Sequence, residues 1–73
     1  MQRRWVNSAV IQTIGYDPQT SILEVEFRTG RIYQYSAVTP ALYEQLLGAD
    51  SIGEYFNRWI RPSHPYVEVT NKL

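Results

Sequence analysis

The stretch Phe27-Arg28-Thr29-Gly30-Arg31-Ile32-Tyr33-Gln34-Tyr35 decides how this chain folds. It closes one apolar run, turns at a glycine, and resumes as a second run with two tyrosines on one face. Two pairings compete. A two-residue loop at Thr29-Gly30 sets Phe27 opposite Ile32 and Val25 opposite Gln34, which mixes apolar and polar groups on one face. A three-residue loop, Arg28-Thr29-Gly30 with the glycine left-handed, sets Val25 opposite Tyr33 and Leu23 opposite Tyr35. The second register keeps one face apolar and is the one expected. It turns Tyr33 and Tyr35 towards a core and sends Glu24 and Glu26 to the other side.

Upstream, Ile22-Leu-Glu-Val-Glu-Phe27 alternates with period two, as a half-buried strand does. Asp17-Pro18-Gln19-Thr20 is a type I turn signal, since proline presets φ and the Asp side chain can cap the turn. Before it, residues 9–16 are rich in β-branched and aromatic side chains and read as a first strand. Carrying the parity across the turn adds Val10, Ile14 and Tyr16 to the apolar face. Ile11 then falls on the far side, so the strand needs either a bulge or a second apolar patch of Ile11, Ile22 and Ile32. Residues 1–7 read as a loose, basic lead-in around Trp5.

Downstream the period changes. Thr39-Pro40 is an N-cap followed by proline at the first helical position, and Gly48 supplies a stop. Between them Leu42, Tyr43, Leu46 and Leu47 make one stripe. A second helix opens at Ser51 with Glu54 three residues on, a capping box. Ile52, Tyr55, Phe56, Trp59 and Ile60 follow at helical spacing, and Pro62 ends the run. Tyr66–Thr70 is short enough to be an edge strand or to pack across the helices. The expected fold is α+β: a three-stranded antiparallel β-meander, two short helices on one face, and room for a short C-terminal strand. Residues 1–73 are expected to form a single domain with its core over 8–66.

The order of these elements, and the residues that make them, resemble the KTSC domain family, named for an appendage at the C-terminus of some lysyl-tRNA synthetases. The resemblance runs from Ser8 to Tyr66. Its marks are Phe27-x-x-Gly30 ahead of Tyr33-x-Tyr35, Ser8-x-x-Ile11, and Gly15-Tyr16-Asp17-Pro18. Val38 ahead of Pro40 and Ala49-x-Ser51-x-Gly53-x-Tyr55-Phe56-Asn57-x-x-Ile60-Arg61 complete the set. One departure is Thr39, inserted where the family often has Val38 and Pro40 adjacent. The resemblance implies a small bacterial protein without an established activity, and its synthetase context suggests RNA as a partner.

Composition narrows the function classes. A chain of 73 residues has little room for a second core. Six Tyr, two Trp and two Phe compensate with bulk, each burying roughly 150–250 Å². No cysteine is present, so disulfides and thiolate metal sites are excluded. No apolar run approaches the ~20 residues that cross a bilayer. The start lacks the apolar stretch and cleavage site of a signal peptide, so a cytoplasmic protein is expected, monomeric and without metal, cofactor or membrane partner. The formal charge is zero, with seven acids and seven bases, a balance that speaks mildly against nucleic acid unless folding sorts the charge onto one face.

Sorting is conceivable because six of the seven basic residues are arginine, in the pairs Arg3/Arg4, Arg28/Arg31 and Arg58/Arg61. Arg28, Arg31, Arg58 and Arg61 are the candidate nucleic-acid contacts. Tyr33 and Tyr35 are a candidate stacking pair, although the register assigns them to the core. Ser51 and Gly53 open a helix and form a candidate anion site. Gly53, a poor helix former, is expected to permit a close approach, by a ligand or by Tyr33 or Tyr35. His64 stands alone and cannot build a metal site. Nothing resembles a catalytic constellation, so the expected function is a non-catalytic binding module, with RNA, tRNA-like in particular, as the named partner. The alternative is protein interaction or homodimerisation through the edge of strand one or the Ile11/Ile22/Ile32 patch.

Overall fold

The hairpin closes on the three-residue loop. Phe27 N–H donates to Arg31 O at 2.9 Å and Gly30 N–H to Phe27 O at 2.9 Å, while Gly30 takes φ +96°, a conformation that disfavours any Cβ. The expected pairs Val25↔Tyr33 and Leu23↔Tyr35 form. Around this hairpin the computed structural model, which describes residues 2–69, builds one antiparallel sheet. Its strands are β1 Arg3–Trp5, β2 Ile11–Asp17, β3 Ile22–Phe27, β4 Ile32–Tyr35 and β5 Tyr66–Val69, adjacent in that order. Helices α1 (Pro40–Leu47) and α2 (Ile52–Tyr55) lie between β4 and β5 in the chain, and α2 runs on into a π-helical turn, Phe56–Ile60.

The sheet therefore has five strands where three were expected, with the fifth foreseen as an option. Tyr66–Val69 pairs with β4; Thr70 lies outside the described residues. The other addition is β1. The expected loose lead-in is in part a strand, because Arg3–Trp5 pairs with Gly15–Thr13 and covers the edge of β2. The physical reason is polar. Arg3 reaches Glu24 at 2.9 Å on the open face of the sheet, so the strand is held by an ion pair as well as by its ladder.

The bulge in β2 exists. The register shifts between Ile11 and Thr13, so Ile11 pairs with Phe27 and joins the core. Val10 is turned out, 44% exposed. The expected patch of Ile11, Ile22 and Ile32 consequently does not form, since Ile11 is buried under the helices and Ile32 lies on the opposite face, paired with Glu26.

Both N-cap side chains bond as expected, although Ser51 and Glu54 make only the Ser51 half of a capping box. Thr39 Oγ1 accepts from Leu42 N–H at 3.1 Å with Pro40 at the first position, so the inserted Thr39 leaves the entry to α1 regular. Tyr16 stacks on Tyr43 at 4.5 Å and donates its hydroxyl to Val38 O, which ties α1 to the sheet. In the π-helical turn Arg61 N–H donates to Phe56 O at 2.9 Å, five residues back. That wider turn points Phe56 and Ile60 into the core and rotates Trp59 outwards, to 54% exposure, so Trp59 leaves the expected stripe.

Tyr35 ends up at the centre of the core, 1% exposed. Its ring meets Phe56 edge-on at 5.1 Å and Tyr66 at 5.4 Å. Burial raises its phenol pKa to about 12; Arg61 opposes the shift and Tyr66 and Tyr33 add to it. Tyr35→Ala is expected to cost about 3–5 kcal/mol of stability, as large aromatic truncations do, measured by denaturant unfolding. In the parent, the folded state favours the neutral phenol. Its contribution is full below the ordinary tyrosine pKa of 10.0 and fades as pH rises towards about 12. Tyr35→Phe should flatten that part of the stability-against-pH curve, and an unchanged curve would refute the burial account.

Candidate functional site

Three of the four candidate arginines converge. Arg28 and Arg31 flank the hairpin tip and Arg61 follows the π-helical turn, and all three line one groove of about 370 Å³. Its deeper wall is the half-buried pair Phe27 and Tyr33, with Val10 beside them. The rings are fixed from behind. Phe27 meets Tyr33 at 5.5 Å and Phe56 at 5.7 Å, and Tyr33 stacks on Tyr66 at 5.0 Å.

Each arginine is oriented by the fold. Arg28 Nε donates to Ser8 O at 2.8 Å, and Arg61 Nη1 donates to Asn57 Oδ1 at 3.3 Å. Arg31 approaches Glu68 at 3.6 Å, with both side chains well exposed, a pairing of little strength in water. Among the described residues Glu68 is the one carboxylate within ion-pair distance of the groove's arginines.

Arg58 stands apart. The i, i+3 spacing of Arg58 and Arg61 shares a face on an α-helix, but i→i+5 bonding adds a residue to the turn and separates them. Arg58 lies over the Trp59 ring at 5.9 Å, in a second hollow of about 240 Å³ that also holds Asp50 and Glu54. Arg3 is engaged with Glu24, and Arg4 is exposed on the edge strand.

Tyr33 and Tyr35 divide. Tyr35 is core, whereas Tyr33 is core on one side and groove wall on the other. Ser51 Oγ accepts Glu54 N–H at 3.3 Å and serves as a cap. Gly53 is buried, and its close neighbours are neither Tyr33 nor Tyr35. An added Cβ would meet Ser8 Oγ at 3.2 Å and Val10 Cβ at 3.8 Å. His64 Nδ1 lies 3.0 Å from Ser36 O, joining the entry of β5 to the end of β4. Among the described residues no cluster of three metal-ligating side chains occurs, and no helix is long and apolar enough to cross a membrane.

Sequence reading missed the part of Ala9 and Val10 in this groove. The available signal was Ser8, whose Oγ accepts from Val10 N–H and Ile11 N–H, each at 3.2 Å, to make the bend that brings them to the hairpin tip.

Residues 7–66 match the KTSC domain. The chain belongs to the KTSC domain family. An uncharacterized protein of Stutzerimonas stutzeri is 45% identical over 64 residues, 88% of this chain and 90% of that protein. A lysine–tRNA ligase of Nostoc punctiforme is 32% identical over 62 residues, which are 85% of this chain but 11% of the ligase. The crystal structure of a KTSC domain protein from Yersinia pestis has a TM-score of 0.91 at 33% identity, over 94% of this chain and 97% of that one. The KTSC marks acquire physical reasons in this fold. Gly30 sets the register, Gly53 admits Ser8, Phe56 and Ile60 fill the core, and Asn57 steadies Arg61.

Gly53→Ala is expected to lower stability even though alanine gains about 1 kcal/mol in helical propensity, because Ser8 is held in place by two backbone donors. In a Ser8→Ala background the same change should become neutral or stabilising. Thermal melts of the four proteins measure this coupling, and a Gly53→Ala variant that stabilises the parent would overturn the packing account.

Proposed function

We propose that this KTSC domain is a small non-catalytic module that binds RNA, tRNA-like structure in particular, through the face bearing Arg28, Arg31 and Arg61. The observation that carries the reading is that these three arginines line one groove, with Glu68 beside Arg31 as the carboxylate in ion-pair reach. Arginine suits the role, since its planar fork binds phosphate bidentately and stays charged. Segregation supports it further. Glu24 and Glu26 lie on the opposite face of the sheet, so the zero net charge of the chain conceals a basic face. The match of this domain to part of lysine–tRNA ligases is consistent with a tRNA partner.

A second reading has its own observation. The sheet exposes Trp5 at 75% on β1 and Val67 at 62% on β5, apolar side chains at its two outer strands that a protein partner can cover. Dimerisation through the edge of β2 is not part of that reading, because β1 occupies the edge.

Titration of labelled tRNA at several salt concentrations tests the RNA reading. With three phosphate contacts, the log–log slope should be about −2, at roughly −0.7 per contact for single-stranded regions. Arg28→Gln, Arg31→Gln and Arg61→Gln should each reduce its magnitude by about 0.7. Arg58→Gln should leave it unchanged, because Arg58 lies in the other hollow. Absence of salt-sensitive binding by the parent would sink the RNA reading in favour of the protein one.

A further inference from the structure

We propose that the groove receives one unpaired nucleotide of the RNA, its phosphate among Arg28, Arg31 and Arg61 and its base against Val10, Phe27 and Tyr33. This inference rests on the RNA reading and says which form of RNA is bound. Size is the first argument. A volume of about 370 Å³ is at the small end of ligand sites, the size of a single nucleotide. A duplex laid on this face would touch the arginines with its phosphates and leave the apolar wall unused, since its bases stay stacked inside.

The lining is the second argument. An apolar wall under a cationic rim complements a molecule that is anionic at one end and flat and weakly polar at the other. A nucleotide released from its stack has that form, and unpaired bases are recognised by apolar and aromatic side chains or by arginine planes. One face of the Tyr33 ring is already taken by Tyr66. The base is therefore held by the exposed parts of the wall together with the guanidinium planes, which stack as well as pair.

Readiness is the third. The Arg28 guanidinium commits Nε to Ser8 O and makes no further side-chain hydrogen bond among the described residues, which keeps its terminal nitrogens available. The Arg31–Glu68 contact at 3.6 Å is loose enough for a phosphate to replace. Phe27 and Tyr33 are locked by Phe56 and Tyr66, so the wall is formed in advance and little ordering cost attends binding.

The experiment compares a labelled single-stranded RNA with a blunt RNA duplex of equal length at one salt concentration, using the full chain. The single strand should bind about tenfold tighter or more, the scale of one base stack. Ala9→Leu, which narrows the groove from an exposed position without changing charge, should weaken single-strand binding and leave duplex binding as it was. Amide shifts at Val10, Phe27 and Tyr33 should accompany the single strand only. Should Ala9→Leu prove unfolded by circular dichroism, competition replaces it, and adenosine monophosphate must displace the single strand better than inorganic phosphate does. Equal affinity for the duplex, or phosphate competing as well as the nucleotide, overturns the unpaired-nucleotide inference while RNA binding stands. Failure of both RNA probes to bind overturns both readings.

Discussion

The rest of this molecule depends on one backbone conformation, the left-handed Gly30. Because the side-chain period of a strand is two, a loop one residue shorter would invert the face of every residue in β4 relative to β3. Tyr33 and Tyr35 would then face the open side of the sheet, and Ile32 and Gln34 would meet the helices. With Gly30 at φ +96° the loop spans three residues, and the tyrosines land beside Val25 and Leu23. The same loop sets Arg28 and Arg31 on either side of the tip, where both reach the groove. One residue therefore fixes the core and two of the three cations at once.

Core and groove share side chains. Phe56 contacts both Tyr35 and Phe27, and Tyr66 contacts both Tyr35 and Tyr33, so the aromatic cluster runs without a break from the buried centre to the groove wall. In a domain this small the area available for burial is limited, and the same rings have to serve packing and surface shape. A change that loosens the cluster would also move the wall, which means that stability and binding are expected to be coupled at Phe27 and Tyr33 and separable at Arg28 or Ala9.

Most of the fold was legible because local rules agreed. The hairpin parity, the Thr39-Pro40 and Ser51 caps, and the alternation of β3 each pointed to the structure that forms. The failures have specific causes. β1 was invisible because Arg3–Trp5 lacks an apolar alternation and is tied down by Glu24, twenty-one residues away. Trp59 and the Arg58/Arg61 pair were misplaced because periodicity assumes 3.6 residues per turn, and Phe56–Ile60 winds more widely. Of the candidate site, the arginines were legible as types and not as a set. Arg61 follows that wider turn into the groove, and the bulge in β2 turns Val10 out of the core to line it.

The charge balance illustrates why composition is a poor guide to the surface of a small domain. Seven acids and seven bases suggest a neutral face everywhere, yet the fold leaves Arg4 exposed on the edge strand and treats the other five arginines in three ways. Arg3 is consumed on the open face, where Glu24 also accepts from Gln34 Nε2 at 2.8 Å and so has a partner on each oxygen. Arg58 lies over Trp59, in the hollow that holds Asp50 and Glu54. Arg28, Arg31 and Arg61 are oriented by a backbone carbonyl, an exposed carboxylate and an amide, of which only the carboxylate offsets charge. Glu24 and Glu26 are held on the far side of the sheet from the groove by the alternation of β3, because they cannot share a face with Leu23, Val25 and Phe27. The strand pattern that buries the core thus also keeps two carboxylates away from the arginines of the groove.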